Sequence, residues 1–560
     1  MDRPYKPPFS ADAPRRTSAV SAATRRACAA VGDLPQPTPA PAPIGCTLRG
    51  MRSLTALPPA VRRLQRAAGG QPLYDTATTR LIEAHALDAA PSPSLMQRAG
   101  AALAQLGRAI APHARQVWLA CGAGNNGGDG LQAAAAFQAA GYATSVHWLG
   151  DPQRCSSDTH AAWLAAQKAG VRFLDSAPPA LDAQDLAVDA LLGIGASTRQ
   201  LPPNDPLVQL LQWLHLCPAP VLCADLPTGL QADTGQYLPG MAFERAPRSP
   251  RHTLSFLTLK PGLFTGAGRD AAGEVWWDDL GVDLNQHPDH RPCAQLGGAM
   301  ALRSRAHASH KGSYGDVAVI GGEGLYLRGM GMGGAAVLAA TAALHHGAGR
   351  VMLALLDEGA CQLLPQQPEL MLRQVSALHW DQGVVVCGCG GGQAVAAVLP
   401  QALEQAHRLV LDADALNAIA TDSALQHLLA SRAHIGLHTI LTPHPLEAAR
   451  LLGSDTTAVQ ADRLQAAHQL SQQTSSTVVL KGSGSIIASP HQLPCINGSG
   501  NALLATAGTG DVLAGMVGAA WAQGLPPHTA AQWAVWRHGH LAEQWPAGQA
   551  LTAGALARCS

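Results

Sequence analysis

A chain of 560 residues is too long for a single hydrophobic core, so two or more domains are expected. Apolar residues make up 47%, charged residues 14%, and the formal net charge is +0, which gives no electrostatic basis for nucleic acid or an anionic membrane as a partner. The longest apolar run, near residues 331–344, is too short and too glycine-rich to span a bilayer, and the 12 cysteines show no zinc spacing, so a reducing cytoplasmic setting is expected.

Residues 1–70 are rich in Pro, Ala, Ser and Arg and poor in acids, and the prolines between 35 and 43 exclude regular structure. Such a segment resembles a transit peptide, a disordered tail, or sequence upstream of a start at Met51, with the last two favoured.

Strands and helices then alternate. Helices are expected over 76–86 and 94–109, a buried strand over 116–121, a glycine turn at 122–130, a helix over 131–140 and a strand over 144–149. Strands at 186–189 and 221–225 end in Asp189 and Asp225. The alternation predicts a Rossmann-like, doubly wound parallel sheet, whose ligands lie beyond the carboxyl ends of its strands. Three polar glycine motifs fall at such ends: Asn125-Asn-Gly-Gly-Asp-Gly130, Asp189-Ala-Leu-Leu-Gly-Ile-Gly195 and Asp225-Leu-Pro-Thr-Gly229. Each alone is also ordinary turn chemistry; together they are expected to face one crevice. The oxygen donors Asn126, Asp189 and Thr228 suit a hard cation.

These motifs, with Thr253-Leu-Ser-Phe-Leu-Thr-Leu-Lys-Pro-Gly-Leu-Phe264, resemble the NAD(P)H-hydrate epimerase family (the YjeF N-terminal domain), over residues 71–286. The resemblance implies that Asn125, Asn126, Gly127, Gly128, Asp129, Gly193, Ile194, Gly195, Ala196, Ser197, Thr198 and Arg199 hold a hydrated nicotinamide nucleotide. It further implies that Asp225 contacts the reacting ring and that Asn126, Asp189 and Thr228 bind K+. Residues 287–303, with two prolines and few apolar positions, are expected to be a linker.

A second α/β domain is expected over 304–560. Strands are predicted at 317–320, 350–355, 383–387, 408–411, 439–441 and 478–480, and a small-residue helix at about 334–346. Thr506-Ala-Gly-Thr-Gly-Asp511 brings a glycine loop into a helix, which makes an anion site with a carboxylate beside it. Asp511 alone reads equally well as an N-cap. Lys481-Gly-Ser-Gly-Ser485 adds charge and amide donors, and with both loops on one sheet edge phosphoryl chemistry is the better reading. No Walker A pattern occurs.

His310-Lys-Gly-Ser-Tyr-Gly315, Leu441-Thr-Pro-His-Pro-Leu-Glu447 and the two glycine loops resemble the ribokinase-like ADP/ATP-dependent NAD(P)H-hydrate dehydratases. By that resemblance Ala335, Gly390, His444 and Asp511 face the hydrate, and Lys481, Gly482, Ser483, Gly484, Ser485 and Gly510 face the adenine nucleotide with Mg2+. The chain departs from the family pattern at Ala502-Leu-Leu504, at Gly388-Cys-Gly-Gly-Gly392 and in the longer stretch 323–333.

The combination implies a bifunctional metabolite-repair enzyme, a homo-oligomer acting on NADHX and NADPHX with ADP or ATP. One half epimerises the R and S hydrates; the other phosphorylates and dehydrates the S form. A vitamin-alcohol kinase of hydroxymethylpyrimidine or hydroxyethylthiazole type shares the Asp511 loop but leaves the first domain unexplained. A first domain that only senses ligand or scaffolds is disfavoured by the presence of Asp189 and Asp225.

Overall fold

A computed structural model describes residues 61–64, 69–175, 180–195, 200–302, 304–357 and 364–559. The segment 1–60 lies outside them, so its expected character is not addressed by the fold.

Two short strands, β1 (Arg62–Arg63) and β2 (Gln71–Leu73), open the described chain. The first α/β unit follows with β3 (Gln116–Cys121), β4 (Ala143–Trp148), β5 (Arg172–Phe173), β6 (Leu186–Ala190), β7 (Val221–Ala224), β8 (Arg251–Phe256) and β9 (Glu274–Asp278). Its sheet order is β1-β9-β8-β7-β6-β3-β4-β5, parallel except for β1. Chain order runs outward from β3 to β5, then restarts at β6 on the other side, so the switch point lies between β3 and β6. The helices of this unit include α1 (Thr76–Asp88), α2 (Leu95–Ile110) and α3 (Asn125–Ala139).

Helix α3 starts six residues earlier than the sequence predicts, at Asn125, with extended Gly124 as its N-cap. The glycines expected to form a turn are its first turns because helix and sheet approach too closely for side chains. A Cβ on Gly127 would lie 1.9 Å from the Gly122 carbonyl oxygen, and one on Gly130 would lie 2.7 Å from both Ala190 Cβ and Cys121 Sγ.

The second unit carries β10 (Ala294–Gly297), β11 (Asp316–Gly321), β12 (Arg350–Leu355), β13 (Met371–Leu372), β14 (Val384–Cys387), β15 (Arg408–Leu411), β16 (His438–Leu441), β17 (Thr477–Leu480), β18 (Ile486–Ala488) and β19 (Cys495–Asn497). Their order is β13-β12-β11-β14-β15-β16-β17-β18-β19-β10-β2. Here the switch point falls between β11 and β14, where Gly322 N–H donates to Cys389 O (3.0 Å) and Glu323 N–H to Gly390 O (2.7 Å). The helix Thr509–Ala522 packs on Gly333–His345 at close range: a Cβ on Gly515 would sit 2.0 Å from the Ala339 carbonyl oxygen.

The sheets cross the boundaries expected from sequence. β1, inside 1–70, pairs antiparallel with β9, and β10, inside 287–303, pairs parallel with β19. β2 opens the first α/β unit in sequence yet closes the edge of the second sheet beside β10. These strands are two to four residues long, and their apolar alternation is too brief to stand out among glycines and prolines.

Candidate functional site

The first switch point opens into a cavity of about 390 Å3. Asn125, Asn126 and Asp129 line it from α3; Gly193, Ile194 and Gly195 follow β6, and Asp225 follows β7. The three motifs therefore meet as expected. Gly127 and Gly128 are buried in packing, the latter against Met96 of α2, and do not line the cavity. Ala196, Ser197, Thr198 and Arg199 lie outside the described residues.

Asp225 takes a left-handed backbone (φ 64°), which turns its carboxylate back toward β8. Its Oδ1 accepts from Phe256 N–H (3.1 Å) and from the ammonium of Lys260, which is 1% exposed. Lys260 also donates to Phe256 O at 2.7 Å. Burial pushes the Asp129 carboxyl well above the usual range; repulsion from Asp225 and Glu83 adds to this, and Lys260 opposes it. Glu83 of α1 is raised by burial and by Asp225. Three carboxyl groups thus lie around one buried lysine, an arrangement that favours the protonated form of Asp129.

The loop after β6 also carries the expected cation donors. Asp189 accepts from Thr228 Oγ1 (2.6 Å) and Thr228 N–H (2.9 Å), and Leu192 N–H donates to Thr228 Oγ1 (3.0 Å). Gly193 lies against Asn126, whose amide oxygen and nitrogen are both buried without a hydrogen-bond partner among the described residues. An orphaned amide beside an all-oxygen set fits a hard cation.

At the second site Asp511 is the third residue of Thr509–Ala522, and left-handed Gly508 (φ 88°) is the N-cap. The N-cap reading of Asp511 therefore gives way to an inward-facing carboxylate. Burial raises its pKa to about 6, helped by Asp412 and opposed by Lys481. Lys481 Nζ donates to Asp412 Oδ1 at 2.8 Å and lies 3.9 Å from Glu447. Burial alone would lower this ammonium; Asp412 and Glu447 outweigh it and hold the pKa above the ordinary value. Gly510 abuts Lys481: a Cβ there would lie 3.4 Å from Nζ.

His444 caps the helix Pro445–Leu452. Its Nδ1 accepts from Leu446 N–H (3.1 Å), so the proton sits on Nε2, 3.2 Å from Glu447 Oε1. Ala335 and Gly390 are in contact across the switch point, since a Cβ on Gly390 would meet Ala335 Cβ at 2.8 Å. In the expected nucleotide loop, Ser483 Oγ is already engaged with Gly266 O (2.9 Å), while Gly482 N–H and Ser485 Oγ are 3.3 Å apart. Gly484 is buried against Phe264.

The sequence alone does not single out Glu83, Lys260, Asp412 and Glu447 as site residues. Asp412 directly follows β15 as Asp225 directly follows β7, and the same strand-end rule finds it. Lys260 stands in a run of apolar residues where a lone lysine must be paired.

Residues 317–558 match the NAD(P)H-hydrate dehydratase family, and residues 92–262 the family described as YjeF-related protein N-terminus. The bifunctional NAD(P)H-hydrate repair enzyme Nnr of Escherichia coli is 35% identical over 460 residues, covering 80% of this chain and 84% of that one. The chain belongs to the bifunctional NAD(P)H-hydrate repair enzymes. Another of these repair enzymes, from Coxiella burnetii, is 34% identical over 84% of this chain and 94% of its own. The ADP-dependent (S)-NAD(P)H-hydrate dehydratase of Neisseria meningitidis is 42% identical over 264 residues, 46% of this chain and 86% of that one. Among solved structures, the ADP/ATP-dependent NAD(P)H-hydrate dehydratase of Bacillus subtilis is 29% identical, with a TM-score of 0.38 over 46% of this chain and 91% of that one. The two-domain α/β architecture expected from sequence agrees with both family matches. Among the described residues no helix is long and apolar enough to cross a membrane.

Proposed function

We propose that this chain epimerises R- and S-NAD(P)HX at the first switch point and dehydrates S-NAD(P)HX at the second, using ADP or ATP. The observation that carries the reading is that each half matching a repair-enzyme domain holds a buried carboxyl cluster around one lysine at its own switch point.

In the first site the hydrate's ring nitrogen expels the C6 hydroxyl as water, leaving an iminium to which water re-adds on either face. Asp129, raised by burial, is the proton donor to the departing hydroxyl. Asp225, paired with Lys260, faces the developing positive charge. Asn126, Asp189 and Thr228 would hold K+, which would supply a fixed positive charge beside the loop after β6.

In the second site Asp511, with a pKa of about 6, accepts the proton of the C6 hydroxyl as that oxygen takes the terminal phosphoryl group. Lys481 and the Gly510 region neutralise charge on the donor phosphates. Mg2+ entering with the nucleotide supplies the same electrostatic service. Departure of phosphate from C6, pushed by the ring nitrogen, and loss of the C5 proton restore the 5,6-double bond. The Neisseria relative is named as ADP-dependent, which favours ADP as donor here. The test is recovery of absorbance at the NADH wavelength when the purified chain meets a mixture of both hydrate epimers with ADP or ATP. Full recovery of both epimers is expected, and recovery with neither nucleotide contradicts the reading.

A further inference from the structure

Three histidines outside both sites converge at one point. His85 lies on α1, while His287 and His290 lie in the segment between β9 and β10. A small apolar cluster of Tyr74, Ile82, Leu257 and Leu284 fastens that segment to α1. Ile82 and His85, three residues apart, share a helix face, so the contact that buries Leu284 also brings His85 to the segment.

One ring nitrogen from each histidine lies within 4.8 Å of the other two. His85 Nδ1 and His290 Nε2 are 2.9 Å apart, and the ring centroids are separated by 4.5 to 5.4 Å. His290, 9% exposed, places Nδ1 3.3 Å from the Leu284 carbonyl. A carbonyl only accepts, so the proton is on Nδ1 and the Nε2 lone pair faces the cluster. A ligating imidazole is commonly held in this way, one nitrogen anchored to a backbone carbonyl and the other presented. His287 stands on the solvent side, its side chain 43% exposed, with Nδ1 3.5 Å from the Asp289 carboxylate.

We propose that His85, His287 and His290 form a binding site for a borderline divalent transition metal, with zinc as the ion best suited. Three neutral imidazoles without a thiolate exclude the oxygen-seeking ions expected at the catalytic sites and favour zinc, nickel or copper. Tetrahedral zinc with about 2.0–2.1 Å bonds needs ligand nitrogens roughly 3.3 Å apart, wider than the 2.9 Å between His85 Nδ1 and His290 Nε2 and inside the 4.8 Å that bounds the set, so small side-chain rotations suffice. The exposed side leaves the fourth position to water. Bound metal pins the 283–290 segment to α1, whose Thr79, Arg80, Glu83 and Leu87 line the first cavity.

The test uses the untagged full chain, stripped by chelator and dialysed, titrated with zinc chloride by calorimetry and with Co2+ as a visible spectroscopic probe. One equivalent is expected, with tetrahedral Co2+ bands and a zinc-dependent rise in Tm. His85→Gln and His290→Gln should each weaken zinc binding by at least about tenfold and remove the Tm rise. His287→Ala, at the exposed position, serves as the variant that keeps the fold and should do the same. Absence of binding to the parent chain in molar excess of zinc overturns the proposal. So does unchanged affinity in all three variants, which assigns the ion elsewhere, for instance to Cys389, Asp412 and Asp511.

Discussion

Asp511 carries opposite consequences for stability and for catalysis. Its folded pKa of about 6 lies above the ordinary carboxylate value, so between roughly pH 4 and pH 6 the folded chain holds a proton that the unfolded chain has lost. Stability associated with this group therefore falls as pH rises through that window and stays lowered above it. Asp511→Asn should raise Tm at neutral pH while cutting dehydration by at least about a hundredfold, with epimerisation intact. In the parent, dehydration should climb as pH passes about 6; a flat profile there would show that Asp511 is not the base. Lys260 predicts the reverse sign. Lys260→Met strands Asp225, Glu83 and Asp129 without their buried cation, so it should lose about 3–5 kcal/mol of stability by denaturant titration and nearly all epimerisation. Repair of supplied S epimer should persist in whatever fraction remains folded.

At the scale of elements, strand–turn–helix units were legible because buried parallel strands are continuous apolar runs and their ends carry the polar residues. Asn125, Asp189 and Asp225 are legible that way, and Asp511 from the glycine loop that runs into its helix. What sequence could not give was the partner of each acid: Lys260 is 35 residues from Asp225 and Lys481 is 69 from Asp412, and only the sheet order brings them together. The start of α3 departs from the sequence expectation for a local reason, since glycines required by packing look like turn glycines. Gly127→Ala checks that account. Its methyl group has no room beside the Gly122 carbonyl, so Tm should fall and epimerisation with it, while dehydration persists at permissive temperature. The loop after β6 gives a further expectation. With one carboxylate among its oxygens, the site favours a large monovalent ion over Mg2+. Asp189→Ala should remove any potassium dependence of epimerisation when potassium and sodium are compared, and leave Mg2+-dependent repair of the S epimer unchanged.

Across the whole molecule, the two sites are joined by a polar seam. Arg463, buried, donates to Thr265 Oγ1 (3.2 Å) on one side and to the carbonyls of Leu480 (3.3 Å) and Lys481 (3.2 Å) on the other. Thr265 Oγ1 is also 3.3 Å from the Ser483 and Gly484 carbonyls. The segment that comes after Lys260 in the first site thus grips the loop that carries Lys481 in the second. Arg463→Ala removes the donor that Thr265 and the Leu480 and Lys481 carbonyls share, and should raise the KM for ADP or ATP several-fold with little change in epimerisation; an unchanged nucleotide KM would mean that the seam does not position the loop.

Two separable sites on one chain, exchanging the hydrate through solution, is the arrangement proposed. It is tested most directly by supplying pure R-NADHX, with ADP or ATP and Mg2+, to Asp225→Asn, to Asp511→Asn, and to an equimolar mixture of the two. Asp225→Asn alone should regenerate NADH no faster than enzyme-free epimerisation allows, and Asp511→Asn alone no faster than its residual dehydration allows. The mixture should restore regeneration, because one variant supplies the S epimer and the other dehydrates it. Failure of the mixture, with both variants folded and Asp225→Asn still active on the S epimer, would contradict the division of labour.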